Sequence, residues 1–520
     1  MRSFRLFHAI PGLLAVLGAC SGGRSTSTAL GYYESDDPRS LDPALSTDVT
    51  TGEMTTLLYD GLTRFAPDGS LQPALADRWS VDRGGVHYVF HLRPGVRFHD
   101  GRPLQAADVR AAFLRVLDPK STGGRAWPLL PIAGAREYAA GTADRGRELP
   151  GVSALGDTAV AITLAEPLAV FPKFLAMPVA SITPSPAPAD LGEQPVGTGP
   201  WRFVSWAHDD MLRFAANPQY WGGTPLADSL TVRIIPDQLV RAAELEAGRL
   251  SVVEVPFGET ARWRAQHPAW LQQRPALRVT YVALNTRRGA LRDVRVRQAI
   301  NYGVNVPEIL SVVWNGRGIL ARGAIPPSLP GGDTARSGYG YDPIRARQLL
   351  TAAGYPNGLS LQLWRSSTNE ALGRVAQAIQ ADLARVGVQV EIIARDAASQ
   401  RAAARAGTAD MALLDWWADY PDGDNFLYPL FHSASFGPGG NYAFYSDPAT
   451  DALIIRTRGT QDDAARTALY RQIDDRVYRD APWLYLWFPV DLWAESPTIT
   501  GWELPVIFNG QRWTTVRRVP

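Results

Sequence analysis

Between Asp410 and Ser433 the chain reads DMALLDWWADYPDGDNFLYPLFHS, and here the residue types able to do chemistry are most crowded. Asp415, Trp416, Trp417, Asp419, Tyr420, Asp422 and Asp424 stand within a few positions of one another, punctuated by Pro421 and Gly423. Carboxylates beside indoles suit several tasks. One carboxylate can hold an ammonium by a charge-assisted hydrogen bond, roughly twice as strong as a neutral one, less the cost of desolvating both ions. Two carboxylates flanking a sugar stacked on Trp could cleave a glycosidic bond, although here the acids share one loop rather than separate elements. Calcium fits poorly, because Asp419, Asp422 and Asp424 lack the alternation and the distant bidentate Glu of an EF-hand. The plainest reading is a buried Trp pair with solvated acids beyond it.

Elements on either side must position this loop. Met411 to Leu414 is apolar and of strand length, so the loop lies at a sheet rim, where α/β proteins place their ligands. Upstream, Leu359 to Trp364, Glu370 to Val386 and Val388 to Ile393 form a βαβ unit. Leu372, Ala376, Ile379, Leu383 and Val386 line one helical face, and Gly387 closes the helix. Arg365, at the carboxyl end of the first of these strands, is a candidate for holding a carboxylate, or else a solvated surface Arg. Asn441 to Tyr445 offers another cleft edge. Thr460 with Asp463 predicts a capped helix running to about Arg479, and Trp483 to Phe488 an apolar strand. The tail from Trp493 to Trp513 should then return to the first lobe.

At 520 residues, 46% hydrophobic and 20% charged, the chain is globular and long enough for two or three lobes. A net charge of +1 gives no electrostatic case for nucleic acid. Lys120 and Lys173 are the only lysines, and Gly197-Thr198-Gly199-Pro200 lacks the Lys and helix of a phosphate loop. No G-x-S-x-G, HExxH or Cys/His nucleophile pattern is present, so neither enzyme, cofactor nor metal is expected. His87 and His91, four apart on a strand, are too distant to chelate.

The one cysteine, Cys20, has no partner for a disulfide. Arg2 and Arg5, the apolar Leu6 to Leu17 and the ending Leu17-Gly18-Ala19-Cys20 describe an export signal. That ending resembles a bacterial lipobox, which makes Cys20 the lipid-bearing residue; the alternative is an incidental Cys in a plain signal. Ser21 to Thr28 then reads as a flexible tether.

Several separated stretches carry a resemblance: SLDPALSTDV (Ser40 to Val49), LLYDGLTRF (Leu57 to Phe65), LQPALADRW (Leu71 to Trp79), PVGTGPWRFVSW (Pro195 to Trp206), NPQYWGG (Asn217 to Gly223) and YVALNT (Tyr281 to Thr286). The most specific is LRPGVRFHDGRPLQAADVRAAFLRVLDP, Leu92 to Pro119, a hairpin and helix in which Gln105 stands where Ser or Thr usually caps. With Trp416, Ala418, Asp419, Tyr420, Phe426 and Leu427, these are similar to the extracytoplasmic solute-binding proteins of oligopeptide and dipeptide ABC importers. The resemblance implies a bilobal α/β periplasmic-binding-protein-like fold with a hinge and a small lobe inserted near the N-terminus. The expected division is signal peptide 1–19, lipid-bearing Cys and tether 20–30, lobe I from 31–64, 186–284 and 485–520, small lobe II 65–185, and lobe III 285–484.

It further implies that Asp419 holds the α-amino group of a short peptide, walled by Trp416, Trp417, Ala418 and Tyr420. Thr47, Asp48 and Val49 would reach it from the first lobe, with Asn441 and Arg365 as further contacts; an ordinary loop leading into a helix explains the first three equally well. Expected partners are an ABC permease with its ATPase subunits. The protein would be a monomer outside the cytoplasm, anchored through Cys20. Because the scaffold also serves oligosaccharide, nickel and haem uptake, a non-peptide solute stays open.

Overall fold

The computed structural model describes residues 28–120, 125–142 and 149–519; Cys20, the export signal and most of the tether lie outside them. Among the described residues no helix is long and apolar enough to cross a membrane.

Three sheets carry the architecture. In the first, Leu30–Glu34 pairs in parallel with Ser229–Ile234, which is followed by antiparallel Met211–Ala216 and Trp201–Ala207. A small antiparallel sheet orders Ala76–Val81, His87–Leu92, Ala159–Thr163 and Val152–Leu155. The helix Ala106–Leu117 buries Val109, Phe113, Val116 and Leu117 in the core beside it. Gln105 is no liability there, because Asp108 accepts its N–H at 2.8 Å and that of Ser185 at 2.9 Å. The large sheet runs Val252–Glu254, Trp483–Glu495, Arg278–Leu284, Met411–Trp417, Leu359–Ser366 and Val388–Arg395. Its βαβ unit is parallel as expected, with the helix Glu370–Arg385 burying Leu372, Val375, Ala376, Ile379 and Leu383.

The long strand Trp483–Glu495 determines how the halves connect. Its first part pairs with Arg278–Leu284 and its last part with Leu271–Pro275 and Val252–Glu254. Two strands thus pass side by side from one half to the other, crossing at residues 275–278 and 488–490. Both contain a proline there, Pro275 opposite Val490 and Pro489 opposite Gly318. A proline donates no ladder hydrogen bond, and here Ala276 N–H donates to Pro489 O at 2.9 Å and Val490 N–H to Arg317 O at 3.1 Å. The limits expected at 284/285 and 484/485 correspond to the end of Arg278–Leu284 and to a point inside Trp483–Glu495, whose apolar run continues from Trp483 without a turn.

Helix ends follow capping chemistry, with one correction. Asp342 caps Pro343–Ala352 by accepting from Arg345 N–H at 2.8 Å. The helix Asp463–Asp480 is capped by Asp462, which accepts from Ala465 N–H at 2.7 Å, while Thr460 ends the preceding helix Pro448–Gly459. Asp is as good a cap as Thr, and Thr460, Asp462 and Asp463 stand within four residues of one another.

The returning tail is fixed by one buried ion pair. Asp60, fully buried, accepts from Arg512 Nη1 at 2.6 Å, Tyr220 Oη at 3.2 Å, Thr198 Oγ1 at 2.9 Å and Trp221 Nε1 at 3.0 Å. Stretches from four parts of the chain meet on one carboxylate. Removing its charge leaves Arg512 buried and uncompensated, so Asp60→Asn is expected to cost about 3–5 kcal/mol. The check is the urea midpoint against wild type; an unchanged midpoint would contradict this role.

Candidate ligand crevice at the strand crossing

Ala418 follows directly on Met411–Trp417 and donates its N–H to Leu277 O at 2.9 Å, pinning the acidic loop to the crossing. Asp419 N–H donates to Asn425 Oδ1 at 3.0 Å. The Asp419 carboxylate lies 3.4 Å from the Arg125 guanidinium and keeps 23% of its side-chain surface exposed. Burial pushes its carboxyl up, with Arg125 and Asn425 pulling the other way.

The remaining acids of the loop divide sharply. Lys173 Nζ donates to Asp422 at 2.6 Å and to Pro421 O at 2.8 Å, and Tyr470 Oη donates to Asp422 at 2.7 Å. Against the effect of burial, Lys173 and these hydrogen bonds hold Asp422 below the usual carboxylate range. Asp424 accepts from Tyr420 Oη at 2.7 Å and lies 3.4 Å from Arg458. Asp422 and Asp424 are therefore buried structural anions, whereas Asp415 stays on the surface and accepts the Thr280 hydroxyl.

The sequence-predicted contacts separate in the same way. Trp417 is 56% exposed, with the Arg278 guanidinium 4.2 Å from its ring centre. Trp416 is half-buried, near Asn425. Ala418 and Tyr420 belong to the core: the Tyr420 ring meets Phe174 edge-on at 4.9 Å, so it fastens the loop to the small-sheet half and is not an open wall. Asn441 is completely buried and spends its amide on His432 O, Tyr445 O and Tyr445 N–H, which leaves nothing for a cleft edge. Asp48 caps the helix Val49–Leu58 by accepting from Thr51 N–H at 2.9 Å, with Thr47 half-buried before it and Val49 46% exposed after it. Arg365 folds back to donate to Ser366 O at 2.8 Å, its guanidinium against Gly373.

A charged cluster at the crossing was missed. A cavity of about 210 Å³ is lined by Arg241 and Glu254 from one half, Arg278 at the crossing, and Trp314, Arg317 and Asn369 from the other. Arg278 lies 3.6 Å from Asp491, and Arg317 3.6 Å from Glu254. Burial pushes the Asp491 carboxyl up to about 6, Arg278 opposing and Glu254 adding. The signal was in plain view: Arg278 opens an otherwise apolar strand and Asp491 interrupts another, and such charges need a reason. On the first-sheet side, Tyr32 Oη donates to Glu53 at 3.1 Å and Thr50 to Glu34 at 3.1 Å. Burial pushes both carboxyls up, Glu53 to about 7.

Known proteins resemble this chain over most of its length. The family described as bacterial extracellular solute-binding proteins, family 5 Middle, matches residues 70–438. The heme-binding protein A of Haemophilus influenzae is 31% identical over 504 residues, 92% of this chain and 90% of that protein. The glutathione-binding protein GsiB of Pectobacterium atrosepticum is 33% identical over 476 residues, 89% of each. The periplasmic binding protein DppA from Helicobacter pylori, solved with the peptide STSA, superposes with a TM-score of 0.77 at 29% identity, covering 95% of this chain and 98% of that one. With sheets joined by a double-strand crossing and a match over most of its length, the chain belongs to the family 5 extracellular solute-binding proteins of ABC importers.

Proposed function

We propose that the protein captures short peptides in the crevice at the strand crossing and hands them to an ABC permease and its ATPase subunits. The observation that carries this reading is the pairing of opposite charges at one place: Asp419 half-open beside the exposed Trp417, and the Arg278, Arg317 and Arg241 guanidiniums around the adjoining cavity. A zwitterionic chain presents an ammonium to the first and a carboxylate to the second, with strand-like backbone hydrogen bonds between. Only a ligand touching both halves can favour the closed state, and the two-stranded ribbon at 275–278 and 488–490 is where we place the hinge.

A second reading is favoured by the excess of guanidiniums, three against the carboxylates of Glu254 and Asp491: an acidic short peptide of the glutathione kind, which the relative GsiB is named for. A glycosidase finds less support, since Asp422 and Asp424 are committed to Lys173, Tyr470, Tyr420 and Arg458. We further place the protein outside the cytoplasm, as a monomer anchored by a lipid on Cys20.

Asp419→Asn is expected to weaken a free-amine tripeptide by about 10- to 100-fold in calorimetry and to leave the already weak N-acetylated analogue unchanged. Equal binding of the two peptides by wild type would overturn the ammonium role. Glutathione titrated beside a neutral tripeptide separates the two ligand readings.

Acidity provides a second check. As pH falls through about 6, Asp491 takes up a proton and ceases to neutralise Arg278, so affinity for a ligand carboxylate should rise. The ligand carboxylate itself stays ionised there. The raised value also means that stability linked to this group is full below the ordinary Asp range and is lost as pH rises through about 6. Asp491→Asn should flatten the affinity profile between pH 5.5 and 7.5, and a slope identical to wild type would refute the coupling.

For the anchor, Cys20→Ser should move the protein from the membrane to the soluble fraction and abolish labelling by radioactive palmitate. Retained labelling would remove Cys20 from that role.

A further inference from the structure

A second cavity among the described residues lies away from the crevice. It has a volume of about 670 Å³ and is lined by Arg287, Arg292, Arg297, Arg476 and Arg479, with Asp447 and Asp480. Thr286, on its wall, follows the end of Arg278–Leu284 that is remote from the crossing, and Asp480 just precedes Trp483. At about 3.3 Å per strand residue, the length of that strand separates the two sites by roughly 20 Å.

Five guanidiniums face two carboxylates, and the carboxylates are already engaged. Asp447 takes Nε of Arg476 at 2.5 Å, and Asp480 takes the Tyr445 hydroxyl at 2.7 Å. Arg292 and Arg479 spend only Nε, on Arg287 O at 2.9 Å and Asp475 O at 3.2 Å. The amino groups of Arg292, Arg476 and Arg479 have no acceptor among the described residues. Arg287 stacks on Phe436 at 4.2 Å, a contact that holds the plane of the fork without using its N–H groups.

At the floor, Arg297 is buried and donates only to the backbone carbonyls of Asp480, Leu291 and Arg292. Among the described residues it forms no salt bridge to a carboxylate, an expensive state for a buried ion unless an anion compensates it. Burial lowers its pKa, and the Asp480 carboxylate on the same cavity wall opposes that shift.

We propose that this cavity is an anion site for a small phosphate-class ligand bearing two or more negative charges, bound by the forks of Arg292, Arg476 and Arg479 over Arg297. Fork-shaped donors match tetrahedral oxyanions bidentately. Free phosphate or pyrophosphate and a lipid headgroup present the same chemistry to the cavity.

The test titrates the purified full chain at constant ionic strength with inorganic pyrophosphate, and separately with monomeric dihexanoyl phosphatidic acid. Saturable binding of either supports the proposal, and the tighter of the two identifies the source. Arg292→Ala with Arg479→Ala, both at exposed positions, should weaken that binding at least about 10-fold. An unchanged thermal midpoint without anion shows the variant to be folded; should it shift, the single Arg479→Ala variant is titrated instead. Absence of saturation with both probes, or equal binding by the folded variant, overturns the proposal.

Discussion

The Asp60 carboxylate is the constraint on which the rest of the architecture depends. It lies at the end of the first helix of the N-terminal part, and its donors come from the Gly197–Trp201 turn, the Asn217–Trp221 turn and the C-terminal tail. Each motif is ordinary alone. Together they satisfy a buried anion with four donors, the arrangement that makes burying a charge tolerable. Since Arg512 belongs to the last stretch of chain, the same interaction holds the tail on the first sheet. That return is what allows Trp483–Glu495 to cross as a partner to Leu271–Leu284, so that the halves are joined by a ribbon and not by a single thread.

The crossing concentrates the chemistry because strand ends and charges converge there. Ala418 is hydrogen-bonded to Leu277, and Arg278 then stacks on Trp417. Any rotation about the ribbon changes the spacing of Arg241 and Glu254 relative to Arg317 and Asn369. The loop after Trp417 has the opposite character: Tyr420, Asp422 and Asp424 lock it against Phe174, Lys173 and Arg458. In the proposed clamp, Asp419 would be the fixed contact and the cavity beside the crossing the one that responds.

Much of the fold was legible in the sequence because periodicity reports burial directly. The βαβ unit from Leu359 to Arg395 needed only apolar spacing and Gly387. The site was less legible for a physical reason: a carboxylate in a loop looks the same whether it awaits a ligand or neutralises a buried lysine. Asp422 and Asp419 are three residues apart and differ only in what the fold brings to them, Lys173 and Arg125. Asn441 failed similarly, its amide consumed by its own turn. Long-range partners such as Asp491 with Arg278 leave no local trace beyond a charge where an apolar residue would be expected.

Lysine scarcity, combined with the locked loop, has a practical side. Of the two lysines, Lys173 is held between Asp422 and Pro421 O, while Lys120 is exposed. Apart from the α-amino group, an acylating dye or a bead bearing activated esters would therefore meet one accessible primary amine. Conjugation at Lys120, beyond the helix Ala106–Leu117, would therefore orient every molecule alike.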